Sequence, residues 1–273
     1  NSNRSDCVIS LTTIPSRISL LAPTLKSLMR QTRAPKRIVL NLPRLSKREG
    51  VPYVVPEFLT QLKSVKIARC EDMGPATKAI PTLLREAPDQ LVIIVDDDRI
   101  YPASLVADLE DAALAERDAA FGMSGWVVPE DFIDKPTTIW SNLMLLPPAP
   151  VRARRLGTPF AIDILQGLSG YILRPRFFDL AELTDYSGAP PEAFFVDDVW
   201  ISGHCNVDRF VTPSRRYNYQ PKLLRDFYRR TSLGLINRGP GGNARRHNSI
   251  VTGYLARRWR VGGSANFHIS SNG

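Results

Sequence analysis

Cysteine is scarce in this chain. The three present, Cys7, Cys70 and Cys205, are odd in number and match no zinc-ligand spacing. That excludes a disulfide scaffold and a zinc ribbon. Each cysteine sits in or beside an apolar run, which reads as core packing in a reducing compartment. Long apolar runs are missing as well. None approaches the roughly 18 residues that span a bilayer, and no secretory signal is visible. The expected location is therefore cytoplasmic, although a chain that begins at Asn1 also reads as an excised domain. There is no internal repeat. Acid is nearly absent from the C-terminal part: after Arg209 the only carboxylate is Asp226, set among Arg215, Arg216, Lys222, Arg225, Arg229, Arg230, Arg238, Arg245, Arg246, Arg257, Arg258 and Arg260.

What is present is a 273-residue chain with 43% hydrophobic residues and a formal net charge of +9. This is enough for one sizeable core or at most two small domains. A basic tail on an otherwise mixed chain points to a phosphate-bearing partner such as a nucleoside diphosphate or an anionic lipid surface.

Apolar runs alternate with helical spacing through the first half. Cys7 to Pro15, Arg37 to Pro43, Val65 to Cys70, Leu91 to Asp98 and Ala120 to Trp126 read as strands. Helices are expected after Pro23, at Glu57 to Lys63, over Lys78 to Ala87 and after Pro102. This is β-α alternation, so the expected fold class is α/β, with a mostly parallel sheet and helices on both faces. The alternation stops after Trp126. Residues 129–160 are Pro-rich and read as a covering loop or small β excursion. Ile164 to Pro175 reads as a strand interrupted by Gly167 and Gly170, Phe194 to Gly203 as a strand turning into a helix, and Ser249 to Trp259 as a last helix.

The chemistry concentrates in Leu91 to Arg99. Five apolar residues run into Asp96, Asp97 and Asp98. A strand buried on both faces ends there, at the sheet edge where open α/β folds bind ligands. Three adjacent carboxylates repel one another unless a cation lies between them. In extended backbone Asp96 and Asp98 point one way and Asp97 the other, so Asp96 and Asp98 can share one ion. A second acidic pair, Asp197 and Asp198, follows an apolar run and opens a helix. One of the two reads as its N-cap and the other as a proton acceptor, since neighbours at a helix start point about 100° apart. Glu71 and Asp72 end the third strand at the same sheet edge. Lys78, in the first turn of the next helix, is electrostatically misplaced unless it meets an anion.

In order, SLTTIPSR, EDMGPATK, VDDDR, LQGLSGY and FFVDDVWISGH resemble the motifs of nucleotide-sugar-dependent glycosyltransferases with the GT-A (Rossmann-like) fold, over roughly residues 7–212. The resemblance implies an Asp-x-Asp site in which Asp96 and Asp98 hold Mn²⁺ or Mg²⁺ and the donor ribose, with Asp97 beside them. It implies nucleoside contacts from Thr12, Thr13 and Arg17, base reading by Asp72 or Glu71, a catalytic base at Asp198 or Asp197 with inversion at the sugar, and an acceptor framed by Gln166 to Gly170. Such enzymes often add a late histidine to the metal. His247, beside Arg245 and Arg246 in a glycine-rich stretch, is the expected one, with the arginines forming a lid over the diphosphate. His204 and His268 are the other histidines.

The expected organisation is a catalytic domain over 1–212 and a basic lid or tail over 213–273 packed on it. The expected partners are a nucleoside-diphosphate sugar and a glycan or glycolipid acceptor, with peripheral membrane contact as a second use of the basic tail. Two other classes fit parts of the sequence. A phosphatase-like enzyme would use an aspartate of the triplet as nucleophile, but such an aspartate follows an early strand and precedes Thr or Val, whereas here Arg99 follows. A nucleic-acid-binding module would use the basic tail with Tyr217, Tyr219, Phe227 and Tyr228 but leaves the aspartates unexplained. No nucleic acid is therefore expected as partner.

Overall fold

The computed structural model describes residues 3–232, 237 and 241–263. Eleven strands form two sheets among the described residues: β1 Val8–Thr12, β2 Arg37–Pro43, β3 Val65–Cys70, β4 Val92–Ile94, β5 Ala119–Gly122, β6 Ser124–Trp126, β7 Val151–Arg152, β8 Phe160–Ile162, β9 Ile164–Leu165, β10 Tyr171–Leu173 and β11 Asp208–Val211. The main sheet has the order β3-β2-β1-β4-β10-β5-β11-β8. β3, β2, β1 and β4 are parallel. β10 is inserted antiparallel between β4 and β5, and β11 runs parallel to β5, with β8 antiparallel at the edge. This is the expected α/β architecture, and its order and mixed polarity are consistent with a GT-A, Rossmann-like fold.

The parallel half forms where the apolar runs are longest. Val92, Ile93, Ile94 and Val95 have no exposed surface, and burying each such side chain stabilises the fold by about 1.5–3 kcal/mol. Helices Ala22–Met29 and Leu105–Ala115 pack their apolar stripes on this sheet, Leu25 and Leu28 from one and Leu105, Val106 and Leu109 from the other. The helix expected over Lys78 to Ala87 is shorter: a 3₁₀ turn Ala76–Lys78 precedes a four-residue helix Ile80–Leu83. Pro81 fits its first turn, where no backbone donor is needed.

The Ala120 to Trp126 run serves two sheets. β5 belongs to the main sheet and β6 to a small antiparallel sheet, β7-β6-β9. The expected excursion over 129–160 supplies β7 but also a helix, Ile139–Met144, capped by Thr138 and Ser141. The Phe194 to Gly203 segment does not begin as a strand. A 3₁₀ turn Pro191–Phe195 leads directly into the helix Asp197–His204.

The described part of the basic tail packs on the same core, which includes Val251, Leu255 and Trp259. Asp163 fastens it. This fully buried carboxylate accepts the backbone N–H groups of Val128, Arg260, Val261 and Gly262 at 2.8–3.0 Å. The cysteines are free thiols with Cys7 and Cys205 buried, as core packing requires. Burial pushes the Cys7 thiol up to about 12. Among the described residues no helix is long and apolar enough to cross a membrane.

Candidate active site

The carboxyl ends of β1 and β4, the turn after β3, the β9–β10 connection and the start of helix Asp197–His204 meet at one cavity of about 440 Å³. Six aspartates line it: Asp72, Asp96, Asp97, Asp98, Asp197 and Asp198. So many carboxylates in one concave, partly dry space need compensating charge, and several groups supply it.

Lys78 is the central one. It is 5% exposed, and its Nζ lies 2.7 Å from Asp96, 2.6 Å from Asp197 and 3.5 Å from Asp198. Burial pulls its pKa down, but the carboxylates of Asp197, Asp96 and Asp198 outweigh burial and hold it well above the ordinary lysine value. The anion expected at Lys78 is thus the protein's own. The lysine ends a 3₁₀ turn rather than opening a helix, which sends its side chain into the cavity. Space for the ammonium depends on Gly167, where a Cβ would run into Lys78 Nζ and the Asp96 carboxylate. The 3₁₀ turn depends likewise on Gly74, at φ 62°, where a Cβ would strike the Phe194 carbonyl.

The strand expected to run through Asp98 ends at Ile94, and Asp97 and Asp98 lie in the turn that follows, where Asp97 meets partners other than Lys78. It accepts Thr13 Oγ1 at 2.6 Å and pairs with Arg17 at 3.0 Å. Arg17 also donates to the Thr231 and Tyr228 carbonyls. Expected to contact the donor, Thr13 and Arg17 are engaged in fixing Asp97 and joining β1 to the tail. Thr12, which also lines the cavity, bonds to the Asn41 carbonyl at 2.8 Å. Asp98 accepts Gln220 Nε2 at 2.7 Å and lies 3.4 Å from Arg99 Nε. Burial, then Asp97 and Asp96, raise its pKa.

Asp96 and Asp98 therefore answer to different partners, Lys78 and Gln220. Among the described residues no three of His, Cys, Asp and Glu come together as a metal site. The set Asp96, Asp98 and His247 is not assembled. His247 opens the helix His247–Tyr254 with its ring 5.8 Å from that of Phe195, and its buried Nδ1 has no hydrogen-bond partner. His204 is buried against Trp200, with Nδ1 2.8 Å from the Trp200 carbonyl. His268 and Arg238 lie outside the described residues.

The second acidic pair departs from expectation in two ways. Asp197 is the first helical residue rather than the N-cap, which is Val196, and no side chain caps this helix. Both Asp197 and Asp198 face the cavity, because Lys78 draws them together across the helix start. Asp198 Oδ1 also accepts the Gly167 N–H at 3.0 Å. Burial, only partly offset by Lys78, pushes Asp198 up to about 7, with Asp197 and Asp96 adding to the rise.

At the turn after β3, Asp72 lines the cavity and is held by the N–H groups of Lys47 and Gly74. Glu71 is exposed and lines a separate groove with Pro43 and Arg44. Arg245 is exposed, Arg246 lies 4.0 Å from Asp134, and neither lines the cavity. The tail instead contributes Ser232, Asn237 and Asn248. Sequence reasoning missed these, and also Arg48, Tyr53 and Gln220. Only their position in a polar, glycine-rich stretch or in the loop after β2 hinted at a role.

No protein-family model matches the chain, and no curated protein matches it. Among solved structures it is similar to a 4-diphosphocytidyl-2C-methyl-D-erythritol synthase, with TM-score 0.46 and 12% identity over 82% of this chain and 95% of that one. It is similar to residues 1–349 of S. aureus TarS, with TM-score 0.49 and 14% identity over 97% of this chain and 75% of that one. It is also similar to GalNAc-T7 with UDP, GalNAc and Mn²⁺, with TM-score 0.49 and 16% identity over 76% of this chain and 42% of that one. At these identities and TM-scores none of them assigns a residue or a reaction to this chain.

Proposed function

We propose that this chain is a glycosyltransferase that moves a sugar from a nucleoside-diphosphate donor to a hydroxyl of a glycan or glycolipid acceptor, with inversion at the sugar. The observation that carries this reading is Asp198: a carboxylate raised to about 7, fixed by the Gly167 N–H and Lys78, in the same cavity as Asp96 and Asp98. A base of that strength at neutral pH suits removal of a hydroxyl proton as the hydroxyl attacks. Asp197 stays paired to Lys78 and keeps the lysine between the two acidic clusters.

A divalent ion suits this donor set. Hard carboxylate oxygens fit Mg²⁺ or Mn²⁺, and such ions are commonly held by one or two carboxylates plus substrate phosphates, which needs no third protein ligand. Asp96 and Asp98 would hold it, and it would offset charge growing on the leaving diphosphate. Asp72, Tyr53 and Arg48 form the wall suited to the base and ribose. Ser232, Asn237 and Asn248 support the division into a catalytic part over 1–212 and a tail over 213–273 that covers the donor. The phosphatase-like reading gives no role to Asp198, which Gly167 and Lys78 hold at the cavity.

The test is hydrolysis and transfer across a panel of nucleotide sugars, with Mn²⁺ and with excess EDTA. At least one donor should be turned over, and EDTA should abolish turnover. No turnover of any donor, together with no nucleoside-diphosphate binding, would remove the reading; undiminished turnover in EDTA would remove the metal from it.

A further inference from the structure

A second cavity, of about 480 Å³, adjoins the first and shares Arg99, Gln166 and Leu168 with it. Its charge is of the opposite kind. Arg99, Arg152, Arg154 and Arg216 line it, and no Asp or Glu does. Among the described residues no carboxylate lies within ion-pair distance of Arg152, Arg154 or Arg216, and Arg99 reaches only Asp98 at 3.4 Å. Burial, and then the guanidinium groups of Arg154, Arg155 and Arg99, push the Arg152 pKa down.

Four cations face one concavity, three of them without a carboxylate partner among the described residues, and an oxyanion would relieve their mutual repulsion. Arginine offers the planar fork that binds phosphate or carboxylate through paired hydrogen bonds. A further polar group is waiting there: Ser124 is 2% exposed, lines the cavity and has an Oγ with no hydrogen-bond partner. Tyr217 is 63% exposed, with Arg154 5.4 Å from its ring centroid, and offers an aromatic face beside the arginines.

The wall between the cavities connects them chemically. Gln166 and Leu168 line both, and between them the Gly167 N–H holds Asp198. The segment that holds Asp198 thus also walls the basic cavity. Taking the glycosyltransferase reading as its basis, we infer that the basic cavity is the acceptor subsite and that the acceptor carries an oxyanion, a phosphate or a carboxylate, which the arginines hold while a hydroxyl reaches Asp198.

Glucose 6-phosphate, glucuronate and glucose serve as probes, followed by ligand-observed NMR at low and high ionic strength. The wild-type protein should bind one or both anionic probes at least about ten-fold more tightly than glucose, since one lost charged hydrogen bond is worth about that factor. The phosphate-to-carboxylate ratio identifies which oxyanion is preferred. R152Q/R154Q should lose about ten-fold in binding of the preferred probe and keep nucleoside-diphosphate affinity within about two-fold. Equal binding of glucose, or an unaffected R152Q/R154Q protein, would overturn the inference. So would displacement of the probe by nucleoside diphosphate, which would give the cavity to the donor. A wild-type protein that binds the anionic probe but no nucleoside diphosphate would instead remove the glycosyltransferase reading, and the acceptor role with it.

Discussion

The two adjoining cavities solve opposite electrostatic problems. In the first, six aspartates meet donors from within the protein: Lys78 contacts three, Arg17 one, Asp72 rests on backbone N–H groups, and Asp98 on Gln220 with Arg99 3.4 Å away. In the second, Arg152, Arg154 and Arg216 are exposed and have no carboxylate partner among the described residues. A cavity whose charges are satisfied by the protein is preorganised, so its side chains keep their geometry with or without ligand. A cavity whose charges are left unmet is poised to take a counter-charge from outside. The shared Gln166–Leu168 wall sets Asp198 of one beside the arginines of the other.

The contrast can be broken most forcefully at Lys78. Lys78→Met leaves Asp96, Asp197 and Asp198 without their buried cation, and removal of one partner of a buried ion pair costs about 3–5 kcal/mol. Urea unfolding should show that loss, with an unchanged denaturant slope. A Lys78→Met protein as stable as the parent would mean that the aspartates are solvated and that the first cavity is not internally neutralised.

Next in size is Asp198. Asp198→Asn keeps the side-chain shape, so nucleoside-diphosphate affinity should survive while turnover falls by about 10² or more. The wild-type pH profile should carry the same signature. Asp198 must be ionised to accept a proton and its pKa is raised to about 7, so kcat/KM should climb as pH rises through that value. The limb should vanish in Asp198→Asn. Product anomers read by NMR should be inverted; a retained anomer would return Asp197 or a double displacement to consideration.

The smallest effect belongs to the basic cavity. Arg152→Ala should change stability by no more than about 0.5 kcal/mol, because the side chain is exposed and has no ion-pair partner among the described residues. Added salt should narrow even that difference, since screening weakens the repulsion among the arginines. A loss comparable to that of Lys78→Met would show that Arg152 has a structural partner and would erase the distinction between the cavities.

The sequence by itself determined the frame. The apolar run Leu91 to Val95 read as a strand buried on both faces, and the strand Val92–Ile94 with Asp96 to Asp98 just beyond it bears that out. Alternating strand and helix patterns specified a parallel sheet, whose carboxyl edge collects the loop residues. Asp198 was legible as a candidate for the cavity because an acidic pair follows an apolar run, and the structure does line the cavity with it. The opposite sense of Asp97 was not legible, because β4 ends at Ile94 and Asp97 lies in the turn that follows, beyond the reach of strand alternation.

Partner identity was left to the tertiary structure. No periodicity says that Lys78 will meet carboxylates from two distant segments, that Asp197 will serve the lysine instead of capping its helix, or that Arg17 will be consumed by Asp97 and the tail. Insertion of β10 between β4 and β5 is a long-range choice too, and it carries the Gly167 turn to Asp198. The arginine cavity draws on the segment after β4, on β7 with the turn that follows it, and on the tail. Local patterns record which residues are buried and with what period, because backbone geometry sets both. Which charges meet depends on contacts between segments far apart in the chain, and these exist only once the sheet has brought its loops to one edge.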